Sequence, residues 1–172
     1  MEEVLKQRMY HLTMYNISPI QQGIQSYHAG IEYAMMYFDT PEFQQWATKD
    51  KVVIILNGGT SNHMGHDMWD NPCEQGSMET HGYALMQNNI KHSRFHEPDL
   101  NNSFSGIAFL VDERVWDREN YPDPSISDLC DTNGYAPPTT ADVQERTLKF
   151  FTDRYGAEVA FLRTWLKQFR LA

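Results

Sequence analysis

One segment constrains this chain more than any other: the strand-like run Met9–Tyr15 and, directly after it, Ser18-Pro19-Ile20-Gln21-Gln22-Gly23-Ile24-Gln25-Ser26-Tyr27-His28-Ala29. It reads as a strand end, a sharp turn and a helix start, the place where open α/β sheets present their chemistry. Ser18 suits the N-cap, Pro19 the first helical position, and Gln21 stands three residues after Ser18, as a capping box requires. From there Ile20, Ile24, Tyr27, Ile31, Met35 and Phe38 recur at steps of three and four, which predicts one buried helix face. Beside it Gln21, Gln25, His28 and Glu32 form a second stripe. That stripe either lines a cleft or is solvated, with His28 and Glu32 as an ordinary i,i+4 pair.

Strand and helix patterns alternate along the chain, which predicts a layered α/β domain. A first helix over Ser18 to Phe38 is followed by a short one over Pro41 to Ala47. Lys51 to Leu56 contains the run Val52-Val53-Ile54-Ile55-Leu56, the mark of a central strand covered on both faces. Glu79 to Lys91 reads as a helix, and Ser93 to Glu97 and Ser105 to Val111 as two further strands. After Asp112 a polar, proline-bearing segment through Pro137-Pro138 looks irregular and surface-lying. From Thr140 onward Leu148, Phe151, Tyr155, Val159, Leu162, Leu166 and Phe169 trace a long amphipathic helix interrupted at Gly156. The organisation expected is therefore an α/β domain over 1–138 and a C-terminal helix over 139–172. That helix would pack on the same domain, with a homodimer seam as the alternative.

Composition narrows the function classes. A chain of 172 residues can bury a core as one domain. No apolar run approaches membrane-spanning length, so no membrane is expected as partner. Two cysteines, Cys73 and Cys130, make no disulfide framework and fit free thiols in a reducing cytoplasm. Fourteen Lys and Arg against 23 Asp and Glu give a net charge of −9. Such acidity argues against strong non-specific nucleic-acid binding, which lysine and arginine supply by neutralising phosphate.

Three further segments are candidates for chemistry. Asn57-Gly58-Gly59-Thr60-Ser61 follows a strand end; consecutive glycines let backbone N–H groups converge on an anion, and Thr60, Ser61 and the asparagine add donors. The alternative is a flexible turn. His63, His66, Cys73 and His81 are zinc-ligand types, but their spacing fits no specific zinc pattern, and no metal is expected. His96-Glu97-Pro98-Asp99 places two carboxylates at a strand end, where a general base could be held. Asp99 could equally accept bonds from the loop N–H groups of Asn101 and Asn102.

Together these pieces resemble the peptidyl-tRNA hydrolase 2 family. The resemblance rests on Gln25-x-x-His28-Ala29 in the first helix, on Trp46 and the strand start Lys51-Val52-Val53, and on the Glu97-Pro98-Asp99 turn before an apolar strand. It covers Met9 to Val111 and is closest to small, divergent, partly phage-encoded members. It implies a mixed four-stranded sheet flanked by helices, and hydrolysis of the ester joining a peptide to tRNA with no cofactor and no metal. Gln25 and His28 fall on the family's glutamine and histidine. Its helix-start lysine falls at Gln21, and its later aspartate and threonine correspond loosely to Asp99 and to Ser103 or Ser105. A neutral donor at Gln21 is worth about half a charge-assisted one.

These expectations combine into one picture: a hydrolase of an ester-linked or nucleotide-containing substrate, with His28, Asp99, Gln21 and Gln25 as catalytic or donor groups and the Asn57–Ser61 loop holding an anionic part. The competing class is a catalytically inactive protein that captures a small nucleotide or a partner protein.

Overall fold

In β1 (Gln7–Met14) alternation sends Met9, His11 and Thr13 to one face and Tyr10, Leu12 and Met14 to the other. All six are buried, so β1 is an interior strand covered on both sides. The computed structural model describes residues 4–61, 64–66, 72–74, 76–129 and 139–172, with backbone alone at 64–66, 72–74 and 126. Around β1 lie β2 (Val52–Gly59), a short pair β3 (Met64–His66) and β4 (Pro72–Glu74), then β5 (His92–Glu97) and β6 (Ser103–Asp112). The main sheet is mixed and four-stranded, in the order β2-β1-β6-β5. β2 runs parallel to β1, with Tyr10 opposite Ile54. β6 is antiparallel to β1, with Tyr10 opposite Phe109, and β5 is antiparallel to β6.

The parallel β1–β2 pair needs a crossover. It is made by α1 (Pro19–Tyr37), α2 (Pro41–Gln45) and a π-helical turn over Trp46–Asp50. The predicted capping box is present: Ser18 Oγ accepts from Gln21 N at 3.3 Å, and Gln21 Oε1 accepts from Ser18 N at 3.2 Å. On one sheet face Met9, Ala29, Tyr33, Phe43 and Ala108 form the core between α1, α2 and the strands. On the other lies α3 (Ser77–Gln87), whose Met78 and Leu85 are fully buried.

Two sequence expectations are overturned. The run Val52–Leu56 is not a central strand: β2 is at the sheet edge, with Val52 and Val53 exposed. Its outer edge is instead met by the chain's last residues, where Asn57 N donates to Arg170 O at 2.9 Å and Ala172 N to Ile55 O at 3.1 Å. The apolar stripe of α1 also faces outward, with Ile20 78% exposed, Tyr27 67%, Met35 72% and Phe38 61%. The face that α1 buries is Gln25, Ser26, Ala29 and Tyr33. The cause lies in the strands beneath. β5 and β6 present Ser93, Ser105, Gly106 and Ala108 there, and a Cβ on Gly106 would stand 2.9 Å from Gln25 O. Only a small or hydrogen-bonding helix face can come that close, and Ser93 Oγ donates to Ala29 O at 2.6 Å across the contact.

The chain divides into two compact units, Met1–Asp112 with Phe169–Ala172, and Glu113–Gln168. Within the second unit, α4 (Glu113–Trp116), α5 (Ile126–Leu129), α6 (Thr140–Tyr155) and α7 (Ala157–Trp165) follow one another. The long helix expected after Thr140 is two helices. Gly156 separates them at φ 95°, in backbone space open to glycine and strained for other residues. Phe151, Val159, Ala160 and Leu162 are buried, and Arg163 is sealed in beside them. Its Nε donates to Arg114 O at 2.7 Å, Nη1 reaches Asp123 at 3.1 Å, and its guanidinium lies over the Phe151 ring at 4.5 Å.

Candidate functional site

Because β1, β2 and β5 run in one direction and β6 runs antiparallel to β1 and β5, the ends of β1, β2 and β5 and the start of β6 lie at one end of the sheet. At the β5 edge of that end, helix α1 brings Gln25 and His28 onto the strand-end carboxylate of Glu97. Gln25 is buried, and both ends of its amide are bonded: Nε2 donates to Glu97 Oε2 at 2.6 Å, and Oε1 accepts from Ser105 Oγ at 2.5 Å. The carboxylate can only accept and the hydroxyl donates, so this pair of bonds sets the amide's orientation. His28 Nδ1 lies 3.9 Å from the same Glu97 Oε2. That nitrogen is buried and makes no hydrogen bond among the described residues. The ring packs on Phe95, centroids 4.6 Å apart, while the side chain as a whole stays partly open to solvent. A partly open imidazole backed by a carboxylate, itself gripped by an amide, can accept and return a proton.

The other expected site residues lie elsewhere. Asp99 is exposed in the 3-10 turn Pro98–Leu100 and has no hydrogen bond or ion pair among the described residues. The carboxylate beside the imidazole is that of Glu97, two residues earlier in the same turn sequence. The turn is closed not by Asp99 but by two left-handed asparagines, Asn101 and Asn102, and by Ser103 Oγ donating to Leu100 O at 2.5 Å. Gln21 is exposed at the helix start with its carbonyl oxygen held in the capping box.

The Asn57–Ser61 segment sits at the same sheet end but at the opposite edge, on β2. Gly59 N donates to Asn57 Oδ1 at 2.9 Å and Thr60 N to Ser77 Oγ at 2.8 Å, so the two amides an anion would use already have acceptors. Gly58 and Gly59 are small for a packing reason: a Cβ on Gly58 would stand 2.4 Å from Met78 Sδ, and one on Gly59 1.9 Å from Ser77 Oγ. The glycine pair thus seats α3 against the strand end. Ser61 is half-buried beside it.

Of the metal-ligand candidates, His63 lies outside the described residues, as do the side chains of His66 and Cys73. His81 is packed edge-on against Phe169, and burial pushes its pKa down to about 4. Among the described residues no group of three His, Cys, Asp or Glu could hold a metal ion.

Two groups escaped sequence reasoning. Phe95 completes the Gln25–Glu97–His28 cluster together with Ser105, one of the two serines matched loosely to the family's threonine; alternation in β5 puts Phe95 and Glu97 on the α1 side, and a register shift between β5 and β6 brings Ser105 to the same side as its neighbour Gly106. His11 is the other. It is 2% exposed, its Nδ1 has no hydrogen-bond partner among the described residues, and burial holds its pKa down near 4 against a bond to the Ser26 backbone. It lines an apolar cavity of about 400 Å³, with Met9, Gly30, Phe43, Trp46 and Val53, on the opposite flank of α1 from His28. Among the described residues no helix is long and apolar enough to cross a membrane. No protein-family model matches the chain, and no curated protein matches it.

Proposed function

We propose that this chain is a divergent peptidyl-tRNA hydrolase 2-like protein that hydrolyses an ester-linked or nucleotide-containing substrate at the Gln25–His28–Glu97 cluster. One observation carries the reading. The glutamine and histidine singled out by the resemblance meet a single carboxylate oxygen, Glu97 Oε2, at the open end of the sheet. The mixed four-stranded sheet with helices on both faces supports it at the level of fold.

In this reading Glu97 orients the imidazole and stabilises its charged form, and Gln25 holds Glu97 in place. The 3.9 Å gap between Nδ1 and the carboxylate is long for a hydrogen bond, as such contacts often are before substrate binds. His28 Nε2 takes a proton from water as the water oxygen attacks the ester carbonyl carbon. The bond from that carbon to the sugar oxygen then breaks, and the imidazolium returns the proton to the leaving oxygen. Glu97 thus takes the carboxylate role first given to Asp99.

The test is cleavage of an N-acylated aminoacyl-tRNA by the wild type and by His28→Ala, Glu97→Gln and Asp99→Asn. His28→Ala is expected to lose about 10²–10⁴-fold in rate, the usual worth of general acid–base catalysis. Glu97→Gln should fall in the same direction, and Asp99→Asn should match the wild type. A wild type without turnover retires the enzymatic reading. The second reading, an inactive binding protein, is favoured by Gln21, whose neutral amide stands where the family's lysine would and is partly spent on the helix cap.

A further inference from the structure

Helix α1 does not cover its sheet face evenly. It packs chiefly on β5 and β6, where small residues let it come close, and less on β1. The strip over β1 and β2 is bounded on its far side by Phe43 of α2 and by Trp46, the first residue of the π-helical turn. Between these walls lies the cavity of about 400 Å³ over His11. Met9, His11, Ser26 and Phe43 are buried at its base, and Gly23, Tyr27, Ile31 and Val53 are exposed at its mouth. The volume falls within the roughly 300–1,000 Å³ of small-molecule sites.

The lining specifies the chemistry of a ligand. Trp46 Nε1 donates to Val52 O at 2.8 Å and the indole packs on Phe43, centroids 5.6 Å apart, so that wall is fixed before anything binds. With Tyr27 opposite and the Met9 thioether below, the surface offered is one that flat aromatic rings fill well. None of the lining residues is Asp, Glu, Lys or Arg, so a charged ligand would lose its hydration without meeting a counter-charge. The base nevertheless holds a polar group in want of a partner. The bond to the Ser26 backbone takes the one N–H of the neutral His11 imidazole, which leaves Nδ1, without a partner among the described residues, as its acceptor. A ligand O–H or N–H brought to the base supplies the missing donor. The two glycines of α1, Gly23 and Gly30, both stand on this wall. A Cβ on Gly30 would lie 3.2 Å from His11 Cε1, so that glycine seats the imidazole. A Cβ on Gly23 would meet nothing within 4 Å. Glycine weakens a helix interior, and what it does at position 23 is keep the mouth open.

We infer that the cavity over His11 is a binding site for a neutral aromatic compound of two fused rings with one O–H or N–H donor. The rings lie between Trp46 and α1, and the donor points to the imidazole at the base. The site is on the opposite flank of α1 from the Gln25–His28–Glu97 cluster, and the inference does not depend on the proposed activity.

Isothermal titration calorimetry of the full chain with a set of related probes tests it: 2-naphthol, 2-methoxynaphthalene, which keeps the rings but has no donor, and 2-naphthoate, which carries a charge. The wild type is expected to bind 2-naphthol at a single site. It should bind 2-methoxynaphthalene about fivefold to tenfold more weakly, the worth of one neutral hydrogen bond, and 2-naphthoate most weakly of all. His11→Leu keeps the base filled but removes the acceptor, so it should bind the two neutral probes about equally. Gly23→Phe places a ring at the mouth in open space, so the far-UV spectrum and melting profile should be kept while 2-naphthol binds about tenfold more weakly. Should His11→Leu fail to fold, the probe series on the wild type and on Gly23→Phe still decides. No binding at millimolar 2-naphthol, 2-naphthoate bound as tightly as 2-naphthol, a donor preference that survives His11→Leu, or an unchanged affinity in Gly23→Phe overturns the inference.

Discussion

At the scale of single residues, Gln25 is the piece whose loss should be felt most. It is buried, and both ends of its amide are bonded, to Glu97 and to Ser105. Gln25→Leu keeps the volume but leaves a buried hydroxyl and a mostly buried carboxylate short of a partner. The expected cost is about 1–3 kcal/mol in urea denaturation, the usual penalty for orphaned polar groups. Asp99→Ala, in solvent and unbonded, should stay within about 0.5 kcal/mol. The contrast shows what the sequence could and could not reveal here. Glu97-Pro98-Asp99 stood out as a carboxylate-bearing turn, but which carboxylate turns inward depends on strand register. Glu97 is the last residue of β5 and opposite Ser103, so its side chain joins the α1 face; Asp99 has already left the ladder.

His11 gives a second residue-scale prediction. Its folded pKa is near 4 and its unfolded value near 6.5, so the unfolded chain binds the proton more readily. The neutral form's contribution to stability is complete above pH 6.5 and is lost as pH falls from there towards 4. The full effect is on the order of 3 kcal/mol, at about 1.4 kcal/mol per unit. Denaturation midpoints at pH 7 and pH 4.5 should differ less in His11→Gln than in the wild type; equal slopes would assign the acid sensitivity to other groups, His81 first among them.

Among the elements, α1 and β2 show where pattern and packing part company. The spacing of Ile20 to Phe38 correctly marks a helix with an apolar stripe, yet the stripe faces out. Periodicity reports that a helix has two unlike faces; it does not say which one the sheet accepts. That is decided by Ser105, Gly106 and Ala108 on β6, far away in sequence, whose small size draws α1 in until Gln25 O lies against Gly106. Gly106→Ala should push the helix off the strand, cost about 1–3 kcal/mol as overpacked cores do, and lengthen the Ser105–Gln25 contact. A thermal melt and a crystal structure of the variant would check both. The β-branched run of β2 misleads for a related reason. Such a run marks a strand between covered layers, but Val52 and Val53 stand exposed at its start, and burial comes only at Leu56 and Gly58. At Gly156 the element-scale reading was closer: the interruption seen in the stripe is a true break between α6 and α7. Gly156→Ala would force a side chain into backbone space near φ 95°, and is expected to cost about 1–3 kcal/mol by calorimetry.

For the whole molecule, the telling fact is the path of the chain. It leaves the first unit at Asp112, builds the second from Glu113 to Gln168, and returns with Phe169–Ala172 to the first. The second unit is thus an insertion in the sequence of the first, and the segment that follows it, Phe169–Ala172, runs along the edge of β2. There Leu171 bridges Leu56, and Arg170 and Ala172 take the backbone groups that an edge strand would otherwise leave open. An edge with exposed Val52 and Val53 and no such cover is a template for pairing with other chains. Sequence could not show this, because four terminal residues carry no periodicity and their role exists only through β2. Deleting Phe169–Ala172 should therefore do two separable things. It removes backbone bonds from β2 and the ring of Phe169 from His81, lowering the melting temperature of the first unit. It also uncovers the β2 ladder, so light scattering on warming should rise earlier and more steeply with protein concentration than in the full chain. Replacing Val53 with lysine in the shortened chain should suppress the scattering without restoring the melting temperature, because a charge on the edge blocks strand addition but returns none of the lost bonds. If scattering and melting moved together in all three proteins, the tail would matter only as packing, and the edge would owe its solubility to something else.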